Sequence, residues 1–224
     1  MAPPGRRGAP PPVGNRRRRR HRLWLALGAL AVAAAVAAAA IAGVGDSSPS
    51  ALSLPPAHLP GQLEGPAPWP SNVAGLRARL KALRLPALAQ EGTALHIHQH
   101  LDLYVHGRRV TVPAGIGIQE AQGFISPLHT HDTSGVIHVE SPDVRTFTLG
   151  QFFAVWGLRL TPRCLGGYCT TGANTIQVYA DGRRLSGDPR PLPLAAHEEI
   201  LVAFGTQAQL PRPIPARYGF PAGL

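Results

Sequence analysis

The chain has 224 residues and carries a net charge of +10, but 24 prolines and 25 glycines leave room for only one modest folded domain. Eight of the 22 basic residues, Arg6, Arg7, Arg16 to Arg20 and Arg22, sit in the first 22 positions. From Leu23 onward, 14 basic residues face all 12 acidic ones, so no basic stripe remains to follow a phosphate backbone, and nucleic acid is excluded as a partner.

Residues 1–22 read as a basic cytoplasmic arm, rich in proline and glycine and without the means to build a core. Residues 23–44, LWLALGALAVAAAVAAAAIAGV, hold no charge. At ~1.5 Å per residue such a helix spans ~33 Å, enough for a bilayer core. The arginines before it hold that end in the cytoplasm and send the rest of the chain out. The reading is a single-pass signal anchor in the cell membrane, with an extracytoplasmic C-terminal domain. The alternative is a secreted chain, cleaved near Ala42 after the small residues Ala40–Ile41–Ala42.

Residues 45–70 form a Pro-rich linker, read as a semi-stiff tether. A short helix and its connection fill 71–92: Ser71 or Asn72 caps VAGLRARLKALRL, which puts its leucines on one face and its arginines opposite, and Pro86 ends it. The folded domain is placed at 93–205. In it, HLDLYVHGRRVTV carries a hairpin signal at His106–Gly107, and GVIHVE is a strand. FTLGQFFAVWG has capping-box spacing at Thr148 and Gln151, a staple at Phe147 and Phe152, and a stop at Gly157. A second hairpin turns at Asp181–Gly182, and EEILVAFG is the closing strand. The Pro-rich tail, 206–224, reads as unstructured. The whole is an α+β fold: a compact, mainly-β domain with one main helix and β-hairpins, behind an N-terminal transmembrane helix.

Seven of the ten histidines lie between His96 and His138. On a strand, alternate residues share a face, so His96, His98, His100 and Asp102 point one way while Ile97, Leu101, Leu103 and Val105 point to the core. Histidines in an H-x-H pair stand ~7 Å apart at Cα, close enough to converge on one ion, whereas His96 to His100 spans ~13 Å. The strand therefore supplies one chelating pair, taken as His98 and His100. His129 and His131 form a second pair, and His138 lies on the next strand. These five are the candidate metal ligands, with His96, Asp102, Asp132 and Glu140 as further donors. Because the only methionine is Met1, the donor set is imidazole and carboxylate. That suits Zn, Cu(II), Ni or Fe without choosing among them. Cys164 and Cys169, separated by LGGY in an exported domain, are expected to form a disulfide.

The strings HIHQHLDLYVHG, ISPLHTHDTSGVIHVESP, FTLGQFFAVWG and CLGGYC together resemble an uncharacterised family of membrane-anchored bacterial and archaeal proteins with a His-rich extracytoplasmic domain. The resemblance covers half the chain and implies a shared fold without carrying over any catalytic residue. The chain has no serine nucleophile elbow, H-E-x-x-H or phosphate loop. Three functions remain open. The first is a non-enzymatic domain that binds a transition metal for capture, sensing or delivery. The second is a metalloenzyme with a His/carboxylate centre, and the third a metal-free interaction module whose histidines sense pH.

Overall fold

The computed structural model describes residues 54–224. The basic arm at 1–22, the apolar run at 23–44 and the first part of the tether lie outside the described residues. Among the described residues, no helix is long and apolar enough to cross a membrane.

In chain order the elements are α1 (Leu76–Leu83), β1 (Leu95–Val105), β2 (Arg108–Val110), β3 (Ile118–Gln119), β4 (Phe124–Ile125), β5 (Leu128–His129) and β6 (Val136–Ser141). There follow α2 (Leu149–Trp156), β7 (Cys164–Leu165), β8 (Tyr168–Cys169), β9 (Thr175–Ala180), β10 (Arg183–Arg184) and β11 (Glu199–Gly205). The domain is mainly β. One sheet runs β10-β9-β11-β1-β6-β5 with β2 added on β1, and β3-β4 and β7-β8 form two small ribbons.

The turn signals act where their chemistry requires. His106 and Gly107 have φ of 49° and 80°, and Asp181 and Gly182 have φ of 48° and 75°, so both hairpins place two successive residues in the left-handed region that two-residue turns demand. At α2, Thr148 Oγ1 accepts from the Gln151 amide while Gln151 Oε1 accepts from the Thr148 amide, and Gly157 closes the helix in the left-handed conformation. Phe147 and Phe152 are both buried in the core.

EILVAFG does not close the sheet at an edge. β11 lies inside it, parallel to β1 and antiparallel to β9. All seven of its residues are buried, and a strand that is apolar on both faces needs neighbours on both sides and cover above and below.

The two faces of the sheet bury different things. One carries Leu101, Leu103, Ile137, Val139, Ile200 and Val202 in a single core with Phe152, Phe153 and Trp156 of α2 and Leu76 and Leu80 of α1. The other carries the histidines at the β5 end and a small cluster of Tyr179, Leu201, Ala203 and Leu210 at the β9 end, packed by Tyr104 and Ile214. That second cluster explains the tail. Residues expected to be unstructured instead pack on the domain: Leu210 and Ile214 cover this cluster, while elsewhere the Tyr218 ring stacks on His100 with centroids 3.8 Å apart and His197 Nε2 donates to the Leu224 carbonyl.

The second half of the proline-rich linker also belongs to the domain. Leu59 and Trp69 are buried, and Trp69 meets Trp156 and Tyr168 edge to face. Three apolar side chains, Leu59, Leu63 and Trp69, hold the segment down although its prolines prevent regular structure. In α1 the expected cap is replaced: Gly75 is the N-cap, without a side-chain bond, and Asn72 Nδ2 donates to the Gly61 carbonyl instead. One of the supposedly solvent-facing arginines is fully buried. Arg79 donates to the carbonyls of Val155, Pro60 and Asn72, tying α1 to α2 and to the linker, and burial lowers its pKa to about 10.

Candidate metal centre

Strand register assembles the centre. On the face away from the helices His98 of β1 stands opposite His138 of β6, His138 opposite His129 of β5, and His96 opposite Glu140. Neighbouring strands lie ~4.8 Å apart, so three imidazoles line up across three strands. The rings of His98 and His138 are 4.5 Å apart at their centroids, those of His129 and His138 are 5.2 Å apart, and His131 folds back to 4.5 Å from His138.

Glu140 sits where the donors meet. Its Oε1 is 3.0 Å from His138 Nδ1, 3.3 Å from His96 Nε2, 3.9 Å from His129 Nε2 and 4.0 Å from His98 Nε2. Within the H-x-H pairs, His96 and His98 Nε2 are 3.2 Å apart, and His129 and His131 Nε2 are 3.1 Å apart. Ligands of a tetrahedral ion with ~2.0–2.1 Å bonds lie ~3.3 Å from one another, a spacing the shorter of these contacts match while also fitting hydrogen bonds. Glu140 Oε2 is buried with no hydrogen-bond partner.

The protonation states suit the same purpose. His129 Nδ1 donates to the Ser126 carbonyl, 3.0 Å away, which leaves the lone pair of Nε2 facing the centre. Burial first, then the neighbouring His131 and His138, press His129 down to about 3. Burial and the nearby His131 and His98 lower His138 to about 4, and burial lowers His98 as well. Burial, followed by the proximity of Glu91, raises Glu140 to about 7. Burial thus disfavours the charged forms of His98, His129, His138 and Glu140 alike, a cost that a bound cation would offset. This buried His/Glu cluster could hold a metal ion.

Of the sequence-selected residues, His98, His129, His131 and His138 come together, joined by His96 and Glu140 from the further donors. His100 does not join them. It shares their face but lies one step further along β1, where Nδ1 pairs with Glu199 Oε2 at 2.7 Å and Nε2 donates to the Ser134 carbonyl at 3.0 Å, so both ring nitrogens are used. The H-x-H pair on β1 that approaches Glu140 is His96 and His98, because Glu140 stands opposite His96. Asp102 is ion-paired with Arg109 and forms with His100 and Glu199 a separate group, whose ligand atoms also lie within 4.8 Å of one another and could hold an ion. Asp132 is not among the grouped donors; hydrogen bonding from the Ser134 side chain, then from the Ser134 amide, lowers its pKa.

Nothing in the spacing of the histidines points to Glu91 or Glu199. Glu91 Oε1 is 3.2 Å from His131 Nε2 at the exposed rim. Its only local mark is the following Gly92, which packs so closely on the Ser141 backbone that a Cβ would collide. Glu199 is marked only by being an acid at the start of an apolar strand. Cys164 and Cys169 form a disulfide across β7 and β8, and no free cysteine exists among the described residues. Comparison of the chain with protein-family models, curated proteins and solved structures gave no match.

Proposed function

We propose that this protein binds a transition-metal ion at the His/Glu140 centre and displays it outside the cytoplasm from a single membrane span at 23–44. One observation carries the metal reading: a buried carboxylate oxygen of Glu140 has no partner while histidine nitrogens surround its other oxygen. An unpartnered buried acceptor is costly, and a cation repays that cost. Imidazole and carboxylate donors, without thiolate or thioether, favour Zn, Cu(II), Ni or Fe over Cu(I).

The service is capture, sensing or delivery rather than a sealed structural role. His96 and His131 are about half exposed while His98, His129 and Glu140 are buried, so an ion has a route in and out through the rim. The same open rim favours one second reading, a hydrolytic metalloenzyme in which water takes a vacant coordination position. The arginine cluster before the uncharged run supports the topology, and the disulfide suits an oxidising compartment.

Elemental analysis of full-length, detergent-purified protein tests the metal reading. Stoichiometric metal that survives gel filtration is expected, and its absence after reconstitution with Zn²⁺, Cu²⁺, Ni²⁺ and Fe²⁺ would overturn it. External protease on intact cells tests the topology: the domain should be digested while an N-terminal fragment stays in the membrane.

A further inference from the structure

Five histidines and one glutamate are too many donors for one tetrahedral ion, which takes four. They divide by strand. His129, His131, His138 and Glu140 have ligand atoms within 4.8 Å of one another, and so do His96, His98 and Glu140. The first group occupies the gap between β5 and β6, the second the gap between β6 and β1. Glu140 alone belongs to both.

From this arrangement we infer that the centre is dinuclear, with two metal ions in adjacent inter-strand gaps bridged by the Glu140 carboxylate. The inference rests on the metal-binding reading and deepens it.

Three features support the pair. Glu140 Oε1 already lies within 4.0 Å of nitrogens from both groups: His96 and His98 on one side, His129 and His138 on the other. The histidine nitrogens of both groups gather around Oε1, and the second oxygen, Oε2, is buried without a hydrogen-bond partner and so is uncommitted. Adjacent inter-strand gaps are ~4.8 Å apart, near the ~3.5–4 Å of bridged two-metal sites. The two ions would not be equal. The β5/β6 ion has three histidines and is supported by the His129–Ser126 bond, with Glu91 beside His131 at the rim. The β6/β1 ion has two histidines and an open side at His96, so it binds more weakly and exchanges faster.

The test uses full-length protein stripped by chelation and titrated with Zn²⁺, with bound metal counted after dialysis. Two ions per chain are expected, bound in two steps of different affinity. One ion per chain overturns the dinuclear centre while leaving the metal reading intact; none overturns both. His96→Gln, at an exposed position that does not support the fold, should lower the count from two to one. Two ions at undiminished affinity in that variant would contradict the assignment to β1. Loading with Cu²⁺ gives an independent readout. Two Cu²⁺ ions bridged by a carboxylate couple magnetically, so the electron paramagnetic resonance intensity should fall well below the total copper. Intensity equal to total copper in protein carrying two ions would show that they are not neighbours, and would also overturn the inference.

Discussion

His129 Nδ1 donates to the carbonyl of Ser126, three residues earlier on the same short segment, and this one bond decides which nitrogen of His129 faces the other histidines. A ring held in that way has its orientation and tautomer set before any ion arrives. His129→Ala should therefore weaken metal binding by more than the ~10–100-fold typical of losing an outer partner of a ligand. His100→Ala should leave metal affinity nearly unchanged, since both nitrogens of that ring are already engaged by Glu199 and Ser134. Isothermal titration of the two variants separates these outcomes.

Metal uptake should release a proton from Glu140. In the metal-free protein, burial and the proximity of Glu91 raise this carboxyl to about 7, so at pH 6 it is mostly protonated, and an ion must displace that proton. His129 and His138, held to about 3 and 4, have almost none to give. Proton counts from titrations in buffers of different ionisation enthalpy should differ by about one proton at pH 6 between the wild type and Glu140→Gln. Equal counts would refute the assignment to Glu140.

Stability of the metal-free protein should depend on pH in two regimes. His98, His129 and His138 titrate below their unfolded value of ~6.5, so the unfolded chain binds more protons and stability is lost as pH falls towards 4 and 3. Glu140, Glu198 and Glu199 are raised by burial, the first two to about 7; their contribution is complete below ~4.5 and is lost as pH rises to about 7. Between ~4.5 and ~6.5 the two sets oppose each other. Below ~4.5 only the histidines act, reinforced by Asp132 and Asp188, which their partners hold low. Urea midpoints in the presence of chelator should be nearly level across the first window and fall steeply below it.

Arg79→Met should destabilise the domain by about 3 kcal/mol, because three buried or part-buried carbonyls lose their donor at once. Metal stoichiometry of the folded fraction should not change, since Arg79 lies on the helix side of the sheet. Urea denaturation beside metal counting checks both.

The CLGGYC loop should be intolerant at Gly166. Its φ is 53°, and a Cβ there would lie 2.5 Å from Trp69 Cζ2. Gly166→Ala should cost ~1–3 kcal/mol by overpacking. The neighbouring disulfide closes a loop with a sequence separation of five, and its loss as Cys164→Ser with Cys169→Ser should cost about 2 kcal/mol. Alkylation of native protein should label neither cysteine before reduction.

Features that depend on spacing along the chain were legible in the sequence. The alternation from His96 to Val105 separates a histidine face from an apolar face, and the adjacent positive-φ residues at His106–Gly107 and Asp181–Gly182 turn both hairpins. The Thr148–Gln151 box starts α2 where the capping spacing predicts. These signals are local: a strand's period, a turn's dihedral demand and a helix's unpaired amides all act within a few residues. Tertiary structure alone decided which strand lies beside which. Placing β6 against β1 in the register that sets Glu140 opposite His96 made Glu140 the hub and left His100 to Glu199. Inserting β11 between β1 and β9 created an apolar patch that recruits the tail, and packing α1 on α2 turned Arg79 inward to three carbonyls. Register and partner choice follow from burying both faces of the sheet at once, a condition on the whole domain that no short stretch of sequence can express.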